Sequence, residues 1–270
     1  MNIQSYNPNF TANINSKKLN FKKDDFYVRI RGYGKNKSWA NSVIETTDTA
    51  VNLIRRDTFI ENILRFITAG VIRANQFTND FRKKIHTGIL REDREHWDST
   101  SSWKGCELIT NYSSIARYST YSNRFDKMFS NNLKKPYDDI DLTVPIIKHD
   151  EKYLRHGDPK YIDGAFKHIF EIFDSFKKSF NHEDIKKEQL DSVNDHIAEI
   201  RWILAHATPW DRGSDAIANI LMRAMYKSLG IKSYPLQKNI SLDLEAFCTE
   251  LTDYKKNFTK YFQNPPEIIE

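Results

Sequence analysis

Residues Ile200–Ile231, IRWILAHATPWDRGSDAIANILMRAMYKSLGI, read as a helix, a Pro-Trp-Asp-Arg-Gly-Ser break and a second helix. In the second helix Ala216, Ile217, Ile220, Leu221, Ala224, Met225 and Leu229 recur at the three-and-four spacing of one apolar face. Ser214 or Asp215 stands where an N-cap is expected, Lys227 falls in the last turn, and Gly230 lies just past the end. A helix start leaves backbone N–H groups unpaired at the positive end of its dipole, which favours phosphate or carboxylate. Gly213 permits close approach to that backbone, and Arg212 adds a permanent charge. The same letters also describe an ordinary capped helix start.

The chain of 270 residues has length for one large domain or two small ones. Its 39% hydrophobic and 29% charged residues belong to a soluble, core-forming protein, and 17 Phe with 13 Tyr make that core rich in rings. A formal charge of +5 is modest for this length and gives no reason to expect a nucleic-acid partner. Two cysteines, Cys106 and Cys248, are too few for a disulfide framework. No apolar run approaches a membrane span or a signal peptide, so the expected location is the cytoplasm where the chain is made.

Residues 1–22, rich in Asn, Ser and Lys, read as a flexible arm, and 23–264 as a single helical domain. Asp25–Gly34 alternates apolar and basic residues and predicts a short strand. Ala40–Ile85 predicts helix, with Val43, Ala50, Val51, Ile54, Phe59, Ile63, Leu64, Ile67, Val71 and Ile72 inward. His86–Lys152 reads as loops with a hairpin. Ile162–Phe180 carries an aromatic stripe, and Asp191–Ala207, Ser214–Leu229 and Leu242–Phe262 predict three further helices. The fold class is mostly α with a small β element near residues 25–34 and 88–110.

His206 precedes the break while Asp211 and Arg212 follow it, which suggests a base and an anion cradle converging on a phosphoryl- or nucleotidyl-transfer site. Asp211 or Asp215 would be a magnesium ligand. His86–Arg91 ends a helix and opens an apparent hairpin whose edge could take an extended peptide. His149, His156 and His168, with Asp150, Glu151, Asp158 and Asp163, show no metal-ligand spacing.

The helical first half, the Gly-x-x-Arg segment Gly88–Arg91 and the helix–break–helix unit at 191–230 together resemble the Fic/Doc (Fido) family. That family's motif reads His-Pro-Phe-x-Asp/Glu-Gly-Asn-Gly-Arg, and here the frame is Thr208-Pro209-Trp210-Asp211-Arg212-Gly213-Ser214-Asp215-Ala216. Pro209, the aromatic Trp210 and Gly213 match. The family's catalytic His falls on Thr208, its metal-binding acid on Arg212, its Asn on Ser214 and its phosphate-binding Arg on Ala216. The AvrB-type effectors of plant pathogens are similar in keeping a Fic-like fold without the motif.

The resemblance implies a Fic-like helical bundle with a small β-hairpin. It implies a secreted bacterial effector or toxin that binds ATP, another nucleotide or a nucleotide sugar, with Mg, and modifies a target protein of the host by AMPylation-type or related transfer. His206, Asp211 and Thr208 would be catalytic. Arg212, Gly213, Ser214 and Asp215 would bind the nucleotide, Gly88 and Arg91 the substrate, and Asp211 the metal. Two alternatives stand beside it. One is an inactive Fido-like interaction module, and the other is a HEPN-type ribonuclease using the Arg-x4-His pair Arg201 and His206.

Overall fold

The computed structural model describes residues 19–29, 35–91, 103–104, 107–111, 133–148, 150–181 and 184–269. The predicted arm up to residue 18, the second half of the predicted strand at 30–34, Cys106 and His149 lie outside them.

The protein is mostly helical, as its periodicity predicts. Helices α1 (Lys37–Arg55) and α2 (Ile60–Asn75) form an antiparallel pair over buried Val43, Ala50, Val51, Ile63, Ile67 and Val71. Asn36 caps α1 by accepting the Trp39 N–H at 2.9 Å. Gly70 sets how closely the pair approaches: a Cβ there would lie 2.3 Å from Thr46 Cγ2. The predicted continuous helix from 40 to 85 breaks at Asp57, which turns left-handed at φ 59°. Phe59 then precedes α2 instead of lying in its period, so it is 75% exposed and not the core residue expected. Ile72 is exposed as well. A short α3 (Phe81–His86) follows, capped by Asp80, which accepts the N–H groups of Arg82 and Lys83.

Residues 23–25 form a 3-10 turn, closed by the Lys22 N–H donating to Asp25 Oδ2 at 2.6 Å, and the described part of the strand expected from Asp25, up to Arg29, is not a strand. The turn buries Phe26 beneath the guanidinium of Arg223, 5.3 Å from the ring centre. The other place expected to carry the small β element, near residues 88–110, does hold its first two strands. Strands β1 (Trp103–Lys104), β2 (Glu107–Asn111), β3 (Val144–Lys148) and β4 (Glu151–Arg155) form an antiparallel sheet in the order β1-β2-β4-β3. Its β3–β4 hairpin pairs Val144 with Arg155 and Lys148 with Glu151.

Helix α4 (Ile162–Ser179) buries Phe173 and Phe176 from its aromatic stripe, each worth about 1.5–3 kcal/mol of burial. Helix α5 (Leu190–Ala207) runs through the core, and every residue from Ile200 to Ala207 is buried. Helix α6 (Ser214–Ser228) is equally enclosed and packs on α1, α2 and α5. A short pairing of β5 (Ile231–Lys232) with β6 (Glu267–Ile268) ties down the end of the chain.

The predicted last helix is instead α7 (Leu242–Cys248), α8 (Leu251–Asn257) and a 3-10 turn at Phe258–Tyr261. The interruption falls at Thr249, whose carbonyl accepts the indole N–H of buried Trp202 at 3.1 Å. A carbonyl claimed from the side in this way marks where the helix gives out.

Candidate functional site

The break between α5 and α6 occupies residues 208–213 and does not stand alone. Thr208 ends α5 in a left-handed conformation, φ 42°, and Gly213 precedes α6 at φ 95°. Between them the break pairs with residues 87–91. Gly88 N–H donates to Arg212 O at 3.2 Å, Asp211 N–H to Ile89 O at 2.9 Å, and Arg91 N–H to Pro209 O at 2.8 Å. Bridges Thr87–Arg212 and Leu90–Trp210 complete the pairing. The edge expected to receive a substrate peptide is therefore spent, at Gly88 and Arg91, on the protein's own break.

Arg91 is buried and aims at backbone. Its Nη1 reaches Ala207 O at 3.5 Å and Thr208 O at 3.4 Å, and its Nη2 donates to Gly157 O. The guanidinium closes the carbonyl end of α5, where the helix dipole favours a cation. This is a scaffold position, not the substrate contact expected of it.

His206 is also structural. It is wholly buried; Nδ1 accepts the Thr143 N–H at 3.0 Å, and Nε2 lies 3.1 Å from Ala246 O, which requires the proton on Nε2. Burial lowers its pKa to about 3 against the carbonyl's opposing pull. Both nitrogens are occupied and no solvent reaches the ring, so the expected general base cannot meet a hydroxyl. Arg201, the other half of the ribonuclease pair, is 1% exposed and enclosed with it, so RNA reaches neither group.

Arg201 holds two carboxylates: Nη2 donates to Asp215 Oδ1 at 2.8 Å and to Asp243 Oδ1 at 3.0 Å, and Nη1 to Asp215 O at 3.2 Å. Burial opposes the guanidinium charge, yet the Asp243 and Asp215 charges outweigh it and raise its pKa. Two acids share one cation. Burial, then the Asp215 charge, pushes Asp243 up to about 8, although 21% of its side chain still meets solvent and lessens that push. Asp215 is thereby committed to the scaffold and does not cap α6.

Ser214 also faces inward, its Oγ donating to Trp210 O at 3.1 Å and accepting Trp210 N–H at 3.2 Å. The N-cap is Gly213 rather than Ser214 or Asp215, and no side chain caps α6. A Cβ on Gly213 would lie 3.1 Å from Thr87 Cγ2 and 3.3 Å from Val71 Cγ1. Arg212 stays half-buried at the surface.

Asp211 lies below the break with its side chain 2% exposed, and its Oδ2 stands 3.7 Å from Nδ1 of His86, whose side chain is 30% exposed. Thr87, the residue after His86, is held by a polar chain. Trp39 Nε1 donates to Asn75 Oδ1 at 2.9 Å, Asn75 Nδ2 to Thr87 Oγ1 at 2.6 Å, and Thr87 Oγ1 to Lys83 O at 2.6 Å. Sequence reading missed this pair, because nothing in the spacing of 86 and 211 announces a contact.

Thr208 Oγ1 donates to Ala205 O at 2.8 Å and lies 3.4 Å from His156 Nδ1. His156 is buried, and its pKa falls to about 3 through burial and then the Arg91, His206, Arg155 and Arg212 charges around it. The described members of the other histidine group do not converge: His168 faces Asp139 at 2.7 Å while His156 lies in the core. Among the described residues no cluster of three His, Cys, Asp or Glu side chains could hold a metal ion. With Asp215 on Arg201 and Asp211 turned to His86, the residues at the break do not fit a magnesium ion.

Residues 120–265 match the AvrB/AvrC family, described as avirulence protein. No curated protein matches the chain.

Proposed function

The chain, more than half of which the match covers, belongs to the AvrB/AvrC family of bacterial avirulence effectors, and from that membership we propose a nucleotide-dependent modifier of a host protein. In this reading α6 receives the phosphates of a nucleotide or nucleotide sugar at its N-terminus, beside Arg212, and a hydroxyl of the host protein accepts the transferred group. The observation that carries it is the pairing of residues 87–91 with 209–212, which sets an acid–imidazole pair within reach of an uncapped helix start. A Cβ on Gly213 would meet Thr87, whose chain neighbour is His86.

His86 takes the part that the sequence suggested for His206. Its Nδ1 faces the buried Asp211 carboxylate at 3.7 Å, and in this reading the imidazole takes the hydroxyl proton. Leaving phosphate charge falls on Arg212 and the α6 N–H groups, which are fixed before reaction. No step is assigned to His206, Asp215 or Thr208, and none runs through a metal. The likeness to Fic proteins belongs to this proposal, as does AMPylation-type chemistry. Among the described residues no helix is long and apolar enough to cross a membrane.

Isothermal titration calorimetry against ADP, ATP, UDP-glucose and GDP-mannose, each with and without magnesium, tests the reading. Binding is expected without added magnesium. Arg212→Ala weakens it at least tenfold, about 1.4 kcal/mol, and Gly213→Val abolishes it because φ 95° is left-handed. Absence of binding to all four would sink the proposal. A second reading, an inactive interaction module, draws on the Thr208 hydroxyl tied to Ala205 O where the Fic base would stand. It predicts that His86→Ala leaves the effect on the host intact.

A further inference from the structure

Large apolar side chains are exposed on one stretch of the described surface. Phe81, 71% exposed, and Ile85 are four residues apart on α3 and so share a face. Phe77 in the preceding turn, Ile72 on α2 and Leu90 in the segment paired with the break are exposed as well. These elements adjoin. Gln76 Nε2 spans from Ile72 O to Lys84 O, and a Cβ on Gly88 would fall 2.7 Å from Ile72 Cδ1. The apolar stretch thus runs from the α2–α3 turn to the segment 87–91 that pairs with the break.

Among the described residues of this stretch the charge is one-sided. Arg73, Arg82 and Lys83 are exposed beside it, with Lys84 half-buried. The only carboxylate between residues 72 and 91, Asp80, is spent on capping α3. Scattered exposed apolar residues are ordinary, but a run of them bordered by one sign of charge marks an interaction surface.

We propose that this face docks a segment of the host protein in which two or more large apolar side chains are flanked by Asp or Glu. The apolar side chains would cover Phe81, Ile85 and Leu90, and the acids would meet Arg73, Arg82 and Lys83. A second copy of this chain would bring like charge to like, since the protein carries +5 overall. An anionic bilayer matches the charge but not the placement: the face leads to the break, where an acceptor side chain has to be delivered. Docking here stands apart from nucleotide binding, and the two fail separately.

A random-peptide display library selected on the full-length protein tests the proposal, with enriched peptides remeasured by fluorescence anisotropy. Enriched peptides are expected to combine Leu, Ile or Phe with Asp or Glu. Phe81→Ser with Ile85→Ser weakens their binding at least tenfold, and raising salt from about 50 to about 300 mM weakens it several-fold. Thermal unfolding checks that the double variant folds, and Arg82→Glu with Lys83→Glu, on exposed positions, repeats the loss without touching an apolar contact. No enrichment, enrichment of peptides lacking acids, or binding unmoved by both variants overturns it. So does a wild-type preference for phosphatidylserine vesicles, or a dimer in sedimentation that the Phe81→Ser, Ile85→Ser variant abolishes.

Discussion

On acidification below about pH 6.5 the protein is expected to lose stability in two stages, first by about 1.4 kcal/mol per pH unit and then, below about pH 4, by about twice that. His156 and His206 set the slope. Burial drops both from 6.5 to about 3, so between those values the unfolded chain binds two protons that the folded chain refuses. A depressed histidine contributes no slope above its unfolded value, and its penalty grows as pH falls below it. Asp243 works the other way. Raised to about 8, it keeps its proton in the fold while the unfolded chain has released it, and this favours the fold as pH falls from about 8 to about 4. One carboxyl therefore offsets one histidine until it too is protonated in the unfolded state. Urea midpoints at intervals from about pH 6.5 to about pH 3.5 check this, and His156→Gln removes one of the two proton uptakes. A midpoint that stays flat over that range, or one that rises, refutes the assignment of both histidines as buried and neutral.

Removing Arg201 is the other large effect. Arg201→Met leaves the Asp215 carboxylate and the Asp243 carboxyl group without the cation they share; breaking a buried pair costs about 3–5 kcal/mol, and the lower end applies here because 38% of the Asp215 side chain meets solvent. Asp243→Asn makes the contrast. The amide imitates the protonated acid that the fold already favours at neutral pH, so it costs less than about 1 kcal/mol. Guanidinium titration of both variants decides the matter: equal losses would mean that Asp243 is an ordinary ionised partner. Asp215 opens α6, so the Arg201 variant is also expected to loosen the helix start proposed to hold phosphate.

Much of the fold was legible because helical periodicity is written in neighbouring letters. Ile63, Ile67 and Val71 fall inward for the reason their spacing states, as do Phe173 and Phe176. The failures come where distant residues decide. Nothing near Thr249 announces that the Trp202 indole will claim its carbonyl, and nothing near Asp25 shows Arg223 lying over Phe26. The break itself was visible from Pro209 and Gly213, yet the side chains around it were misassigned. His206, Arg201 and Asp215 carry polar letters that suggest chemistry, and burial turns them into scaffold. Only the partner of each side chain tells the two apart, and for His86 and Asp211 that partner lies nearly half the chain away.

The pairing of residues 87–91 with 209–212 bears on how the protein folds. Arg91 closes contacts with residues 116 positions away, so the break acquires its hydrogen bonds only after a long loop has closed. Refolding monitored at Trp210 is then slower than the appearance of helix. A fragment confined to the family-matched stretch leaves the Pro209 and Arg212 carbonyls without the amides that meet them in the whole chain.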